Sequence, residues 1–567
     1  MQMAANTNLP HGGRLVSLLV SDEKGPYLLD QAQHLENVRL NSRQVCDLEL
    51  FACGAFSPLT GFMDEKQCNS VLKSQCLPDG LFWPLPVVLD VPRETAARLK
   101  PGQKAALRDK EGFVLGILAV ADIFVPDIPA WLKALFGTDD PAHPAAQRLL
   151  KGVKPVFVGG SVECVRTPLH YSFTDLRHTP AQTREAFKQR EWSRVMGLAP
   201  SAIMHRAEFE STAGLMQEKD AALMIGASVV EDSFNDFKTH TQIRCLKKIV
   251  QRYPAPAPFL CVVPYFERMA GLRELFLEAI VFKNYNCNIF AVDQGRLEKI
   301  ADCGFNLSQL AQSFEKNLNM GFAVAQNLVY CQEQEAFLPL QQAPECSRQN
   351  IFDQIQVKNL LQSGQNLPGW FSFPEIEQEL KRAYPPRKRQ GFTVFCTGLS
   401  GAGKSTLAKL LYAHFMENDP RPVTLLDGDI VRLHLSRELG FSEEHRRINV
   451  ERIGFVASEI VKNGGIAVCA SIAPRNSPRL AARRMVEAYG GFIEVYVCTP
   501  LEVCEQRDPK GMYAKAKAGL IKGYTGVDDA YEAPLNPEVV VDTTCIHPEK
   551  AMEAILEHLA KAGYLDS

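Results

Sequence analysis

The 567-residue chain has no apolar run long enough to span a bilayer, no short-period repeat, no low-complexity tract and no CxxC pair. Each absence excludes something. A membrane-spanning helix needs about 20 consecutive apolar residues, so none is expected. The opening MQMAANTNLPHGG lacks the basic n-region and apolar h-region of a secretory signal. The sixteen cysteines are scattered, which argues against a disulfide framework or a zinc site. Cys261, Cys396, Cys469 and Cys498 lie in apolar, strand-like runs, where a thiol behaves as a small hydrophobe. A reducing, cytoplasmic setting is expected. A net charge of −3 provides no basic field to recruit nucleic acid or an acidic membrane.

With 46% hydrophobic and 22% charged residues the chain has the composition of a globular protein, and its length calls for about three cores. Residues 1–172 hold short β-like runs broken by Pro and Gly, such as FWPLPVVLDVP (82–92) and EGFVLGILAVADIFV (111–125). These predict a β-rich domain. From 173 to 384 the patterns alternate: helical TREAFKQREWSRVM (183–196), strand PFLCVVPYF (258–266), helical GLRELFLEAIVFK (271–283), strand CNIFAVD (287–293). Such alternation predicts α/β with a parallel sheet. PPRKRQ (385–390) reads as a linker, and residues 385–567 alternate strand and helix again.

The third domain carries the clearest chemistry. In GFTVFCTGLSGAGKSTLAKLLYAHF (391–415) a buried strand runs into a glycine-rich loop and then a helix. Gly398 to Ser405 match G-x-x-x-x-G-K-[ST]. Glycines let backbone N–H groups turn toward phosphate oxygens, and the helix N-terminus adds its positive end. Lys404 would reach the β/γ-phosphates and Ser405 would offer its hydroxyl to Mg²⁺. The ATP-binding set is therefore Gly398, Leu399, Ser400, Gly401, Ala402, Gly403, Lys404, Ser405 and Thr406. The next strand, VTLLDGD (423–429), ends in Asp427 and Asp429, at the sheet edge where ligands bind. There a carboxylate can hold Mg²⁺ or activate a hydroxyl, or simply cap the following helix. In GFSEEHRRINVERIG (440–454), Arg446, Asn449 and Arg452 are spaced to share one helical face suited to an anion. RDPKGMYAKAKAGLIKGYTG (507–526) has the polar, Gly-bearing look of a lid.

GLSGAGKST, LDGD with Arg432, Phe441 and Ser442 with Arg446 and Asn449, RDPKGMYAKA and GYTGVDDAYEAP together resemble adenosine 5′-phosphosulfate (APS) kinase. The resemblance implies a P-loop kinase that takes MgATP and APS to 3′-phospho-APS (PAPS) and ADP. It further implies that Asp429, Arg432, Phe441, Arg446, Asn449, Ile472, Lys510, Tyr524 and Thr525 bind or activate APS, with Phe441 and Tyr524 around its adenine. Lys404, Asp427 and Asp429 become the catalytic set, Ser405 and Asp429 the Mg²⁺ set, and Arg507 joins the ATP site. No prosthetic group is implied. Ala473 stands where many relatives have Ser, which favours direct in-line transfer.

PHGG (10–13), DLELFACGAFSPLTGFM (47–63), RMAGLRE (268–274) and KNYNC (283–287) resemble ATP sulfurylase, a PUA-like β-barrel followed by a Rossmann-like α/β domain. WFSFPE (370–375) resembles the join to APS kinase in fused, oligomeric relatives, implying a homo-oligomer. Active members of that family carry Q-T-R-N-P-x-H-x-x-H. The matching stretch here is APSAIMHRAE (199–208), with Ala199, Ser201, Ala202 and Glu208 at four polar positions and only His205 kept. The second family motif, G-R-D-H-A-G, reads DQGRLE (293–298). An inactive sulfurylase-like region kept as scaffold or regulator is expected, with a bifunctional enzyme as the alternative.

Overall fold

A computed structural model describes residues 8–566, apart from 139, 141, 144–145, 148–149, 151, 201, 229–235, 301–305, 345–347, 350, 509–510 and 522. The chain divides into two compact units, one of residues 1–352 and 368–379, the other of residues 353–367 and 380–567.

In the first unit, a six-stranded sheet runs in the order Glu36–Arg39, Lys104–Arg108, Val114–Phe124, Val156–Cys164, Gly61–Phe62. Leu89–Val91 also pairs with Val156–Cys164. Only the first pair is parallel. Of FWPLPVVLDVP only Leu89–Val91 is strand, because proline cannot donate to a ladder. A five-stranded parallel sheet follows, ordered Gly321–Ala325, Ile289–Asp293, Val195–Leu198, Ala222–Ser228, Phe259–Val263. The expected helix over 183–196 spans Pro180–Gln189, and Val195–Leu198 is strand. Its end is set by the turn at Glu191, which has positive φ.

The helix Gly271–Asn284 is buried almost throughout and joins the two sheets' surroundings. Asn284 Nδ2 donates to the Ala55 carbonyl at 2.8 Å, while its Oδ1 accepts from the His11 N–H at 2.8 Å. Arg273 donates to the Leu72 carbonyl at 3.0 Å, and Arg268 pairs with the buried Asp47. One hydrophobic cluster runs unbroken from Val38 and Phe51 to Phe282, Phe314 and Met320. The β-rich and α/β portions share this core.

In the second unit a five-stranded parallel sheet is ordered Val423–Asp427, Ile466–Ala470, Phe392–Thr397, Gly491–Val497, Val539–Val541. Alternation along the central strand separates two layers. Phe392, Val394 and Cys396 pack on Leu407, Leu411 and Phe415 of the helix Lys404–Asn418 and on Ile555 and Leu559 of the helix Pro548–Lys561. Phe395 packs on Val450, Ile453 and Ala457 of the helix Glu443–Lys462 and on Ala482 and Val486 of the helix Asn476–Glu487. Strand order reverses at Phe392–Thr397, and a crevice opens beyond the carboxyl end of a strand at such a switch point. The described cysteines are free thiols, and burial pushes those of Cys261 and Cys396 up to about 12. Among the described residues no helix is long and apolar enough to cross a membrane.

Candidate active site

The loop from Gly398 to Gly403 leaves the central strand and enters the helix Lys404–Asn418. Gly398 has φ 149°, and a Cβ there would meet the Val497 carbonyl oxygen at 2.4 Å. Gly403 caps the helix at φ 100°, a conformation glycine adopts at little cost. Lys404 is 8% exposed and donates from Nζ to the Leu399 carbonyl at 2.6 Å, so its charge lies over the loop. Ser405 and Thr406 are exposed at the helix start. Ser405 Oγ donates to Asp427 Oδ2 at 2.7 Å. The other oxygen of Asp427 accepts the Asp429 N–H at 3.0 Å as an N-cap. Asp427 therefore caps the following helix, one of the uses the sequence left open, and also holds the Ser405 hydroxyl, while the Asp429 side chain stands exposed. Arg507 donates to Thr543 Oγ1 and O at 2.8 and 2.7 Å, and Thr543 Oγ1 donates to the Ala402 carbonyl at 2.9 Å. Thr543 is a loop support that no sequence pattern suggested.

A second group of residues gathers beside this loop. Arg446 donates to the Gly523 carbonyl at 2.9 Å and Thr525 Oγ1 at 3.2 Å, and pairs with Asp529 at 3.0 Å. Burial, with Arg446 nearby, lowers the Arg432 pKa, and Asp429 opposes this. The Arg432 guanidinium lies 4.5 Å from the Phe441 ring centre, and Phe441 is 64% exposed. Tyr524 meets Tyr513 edge-on at 5.1 Å, and Tyr513 donates to the Ser400 carbonyl at 3.0 Å. The Ile472 carbonyl accepts from Thr397 Oγ1 at 2.7 Å. Asn449 is buried, and its Oδ1 has no hydrogen-bond partner among the described residues. Arg452, expected on the same anion-facing row, instead donates to the Leu435 carbonyl and Glu438. Lys510 lies outside the described residues. Asp529 was missed in the sequence, although the Asp pair in GYTGVDDAYEAP was a signal for it.

In the first unit, His205 is the N-cap of the helix Arg206–Lys219. Its ring packs on Phe371 at 4.3 Å, and Nδ1 lies 2.9 Å from Ser372 Oγ. Burial lowers its pKa to about 4. Glu208 accepts the His205 backbone N–H at 2.9 Å, and burial raises its pKa, with a smaller contribution from Asp293. Arg296, the cation of DQGRLE, pairs with buried Glu278 at 2.7 Å. The Ala202 carbonyl accepts from Gln242 at 3.3 Å. Ser201 lies outside the described residues.

A parallel sheet with a glycine loop at its switch point, a loop lysine and a serine–aspartate pair defines the second unit as a P-loop nucleotide-using domain. Comparison with known proteins gives the family. Residues 390–542 match the family described as adenylylsulphate kinase, 8–167 a PUA-like domain, and 174–383 ATP-sulfurylase. Sulfate adenylyltransferases of Chaetomium globosum and Yarrowia lipolytica are 37% and 36% identical, with 99% and 98% of this chain and 99% of each relative covered. A solved structure described as a hexameric APS kinase from Thiobacillus denitrificans superposes with a TM-score of 0.82 at 37% identity, covering 99% of this chain and 100% of that one. The chain belongs to the family of sulfate adenylyltransferases that carry a C-terminal adenylylsulphate kinase domain.

Proposed function

We propose that the chain is an adenylylsulfate kinase, transferring the γ-phosphoryl group of ATP to the 3′-hydroxyl of APS. The observation that carries this reading is the Ser405–Asp427 pair at 2.7 Å beneath a complete glycine loop, beside the Arg432–Arg446 cluster. In the reaction the 3′ oxygen bonds to the γ-phosphorus as the bond to the β,γ-bridging oxygen breaks. ADP leaves with that electron pair, and the hydroxyl proton passes to the carboxylate of Asp429, with Asp427 the alternative base. Lys404 swings from the Leu399 carbonyl to the transferring group. Ser405 with the nearby carboxylates, Asp427 and Asp429, supplies oxygen donors of the kind Mg²⁺ takes. Mg²⁺ arriving with ATP would be held there and would neutralise negative charge on the phosphates. Arg432 and Arg446, with Lys510, take the phosphosulfate anion; Asn449 offers its unpartnered oxygen; Phe441 and Tyr524 flank the base; Ile472 and Thr525 complete the wall. The expected domains are 1–172, 173–384 and 385–567. A homo-oligomer is proposed, and the description of the solved relative as hexameric supports it. The scattered free thiols favour a cytoplasmic setting.

We also infer that the central domain does not make APS from ATP and sulfate. Its one retained histidine is turned onto Phe371 and Ser372. Glu208 brings a carboxylate to the helix N-terminus where an anion would be held, and Arg296 is engaged by Glu278. Each missing charge-assisted phosphate contact removes about 1.5–3 kcal/mol. A bifunctional enzyme is the second reading, favoured by the full-length likeness to proteins called sulfate adenylyltransferase. Two assays on the full chain decide. PAPS formation from APS and MgATP is expected, without APS formation from ATP and sulfate under added pyrophosphatase. No PAPS would overturn the kinase reading, and sulfate-dependent APS formation would establish the second.

A further inference from the structure

We propose that Arg475 is a positioning residue for the APS site, sharing the Asp529 carboxylate with Arg446 so that Arg446 stays in place with charge left for the anionic substrate; this rests on the kinase reading above. Arg475 begins the helix Asn476–Glu487 as its N-cap residue, and the motif resemblance assigns it no role. Its guanidinium reaches three carboxylates from two other elements. It pairs with Asp529 Oδ1 at 2.9 Å and Glu532 at 3.4 Å in the loop that carries Tyr524 and Thr525. It also pairs with Glu443 at 3.2 Å, the first residue of the helix that carries Arg446 and Asn449. The second oxygen of Asp529 pairs with Arg446 at 3.0 Å.

Two arginines thus share one carboxylate. With Arg475 in place, Asp529 is half-neutralised and fixed, so Arg446 holds its position while much of its charge stays available. Without Arg475, the whole charge of Asp529 falls on Arg446, and an incoming anion must compete with it. The loop retains other anchors, because the Glu532 N–H donates to the Pro474 carbonyl and the Glu532 side chain accepts the Asn476 N–H, both at 2.8 Å. Loss of Arg475 therefore changes alignment and charge rather than unfolding the loop.

The test uses the full-length chain, measuring kcat and KM for each substrate together with direct calorimetric binding of APS. Arg475→Ala should weaken APS, in KM and Kd, on the order of 10-fold, the scale of one charge-assisted contact. KM for ATP and kcat should stay within about 2-fold. Arg475→Lys should recover part of the loss, since an ammonium is a point charge and cannot bridge as a guanidinium does. Asp529→Asn in the Arg475→Ala background should restore APS affinity by removing the competing charge. Unchanged APS constants in Arg475→Ala would overturn the inference, as would equal losses for ATP and APS with a lower melting temperature, or a double variant weaker than either single one. A wild type that binds APS but makes no PAPS would overturn the kinase reading while the Kd comparison still judges Arg475. A wild type that binds no APS overturns both.

Discussion

Asp427→Asn separates the two tasks that one carboxylate performs. Asn caps a helix about as well as Asp, so the bond from the Asp429 N–H at 3.0 Å survives the change. The other position becomes the amide Nδ2, so the 2.7 Å contact with Ser405 reverses, the amide now donating to Oγ, and a charged hydrogen bond becomes a neutral one. A hydrogen bond to a charged group is worth about 1.5–3 kcal/mol net and a neutral one about 0.5–1.5, so the fold should lose only about 1 kcal/mol. In a domain of this size that is a fall of about 2–4 °C in melting temperature. The rate should fall far more. Removing a charge that organises the phosphoryl-transfer site costs catalysis about 2.7–4 kcal/mol, or roughly 10²–10³ in kcat. Turnover is read as PAPS formed at saturating APS, with Mg²⁺ varied, alongside a thermal melt. A variant with kcat within about 3-fold of wild type would show that Asp427 is a helix cap and nothing more. A large loss of rate matched by unfolding at the assay temperature would equally refute the argument.

Other substitutions probe neighbouring parts. Lys404→Ala removes the bond to the Leu399 carbonyl, costing about 1 kcal/mol of stability, but kcat should drop roughly 10²–10³; near-normal turnover would remove the P-loop assignment. Tyr524→Phe should be nearly silent, whereas Tyr524→Ala should weaken APS by about 1–3 kcal/mol. KM for ATP is the control there, because Tyr524 packs on Tyr513 above Ser400; equal KM losses for both substrates would point to that packing alone. The pKa of His205 is depressed from 6.5 to about 4 in the folded chain, so its contribution is full above about pH 6.5 and lost as pH falls toward 4. At pH 5 wild type should have lost about 2 kcal/mol more than His205→Gln relative to pH 7.5, and parallel melting profiles for the two would refute the burial argument.

How legible the molecule was depends on the range of the interactions. The P-loop, its strand and its helix were written locally, since glycine spacing, an apolar strand and a following helix all lie within 391–415. The helix Gly271–Asn284 was legible for the same reason. Periodicity failed at 183–196, where apolar VMGL fits a strand or a helix equally and only pairing with Ala222–Ser228 and Ile289–Asp293 decides. The Ser405–Asp427 and Arg446–Asp529 pairs join residues 22 and 83 positions apart in the numbering, and no local pattern announces them. Residues 353–367 show the same limit: the helix Gln354–Gln362, capped by Asp353, was not read from the sequence, and its membership of the second unit is a tertiary fact.

The shared core of the first unit bears on how such a chain can change over time. Because Asn284, Arg268 and Arg273 hold the β-rich portion to the helix Gly271–Asn284, and one apolar cluster runs through both, the two portions should melt together. A deletion that kept either one would expose apolar surface of the shared core and break the Arg268–Asp47 pair, leaving Asp47 to Arg43 alone or Arg268 without its carboxylate. The first unit is therefore indivisible: a lineage can shed it whole or keep it whole, but cannot trim it by halves. Among the described residues, those around His205 carry no such bond between the portions, and they can change while every strand around them stays.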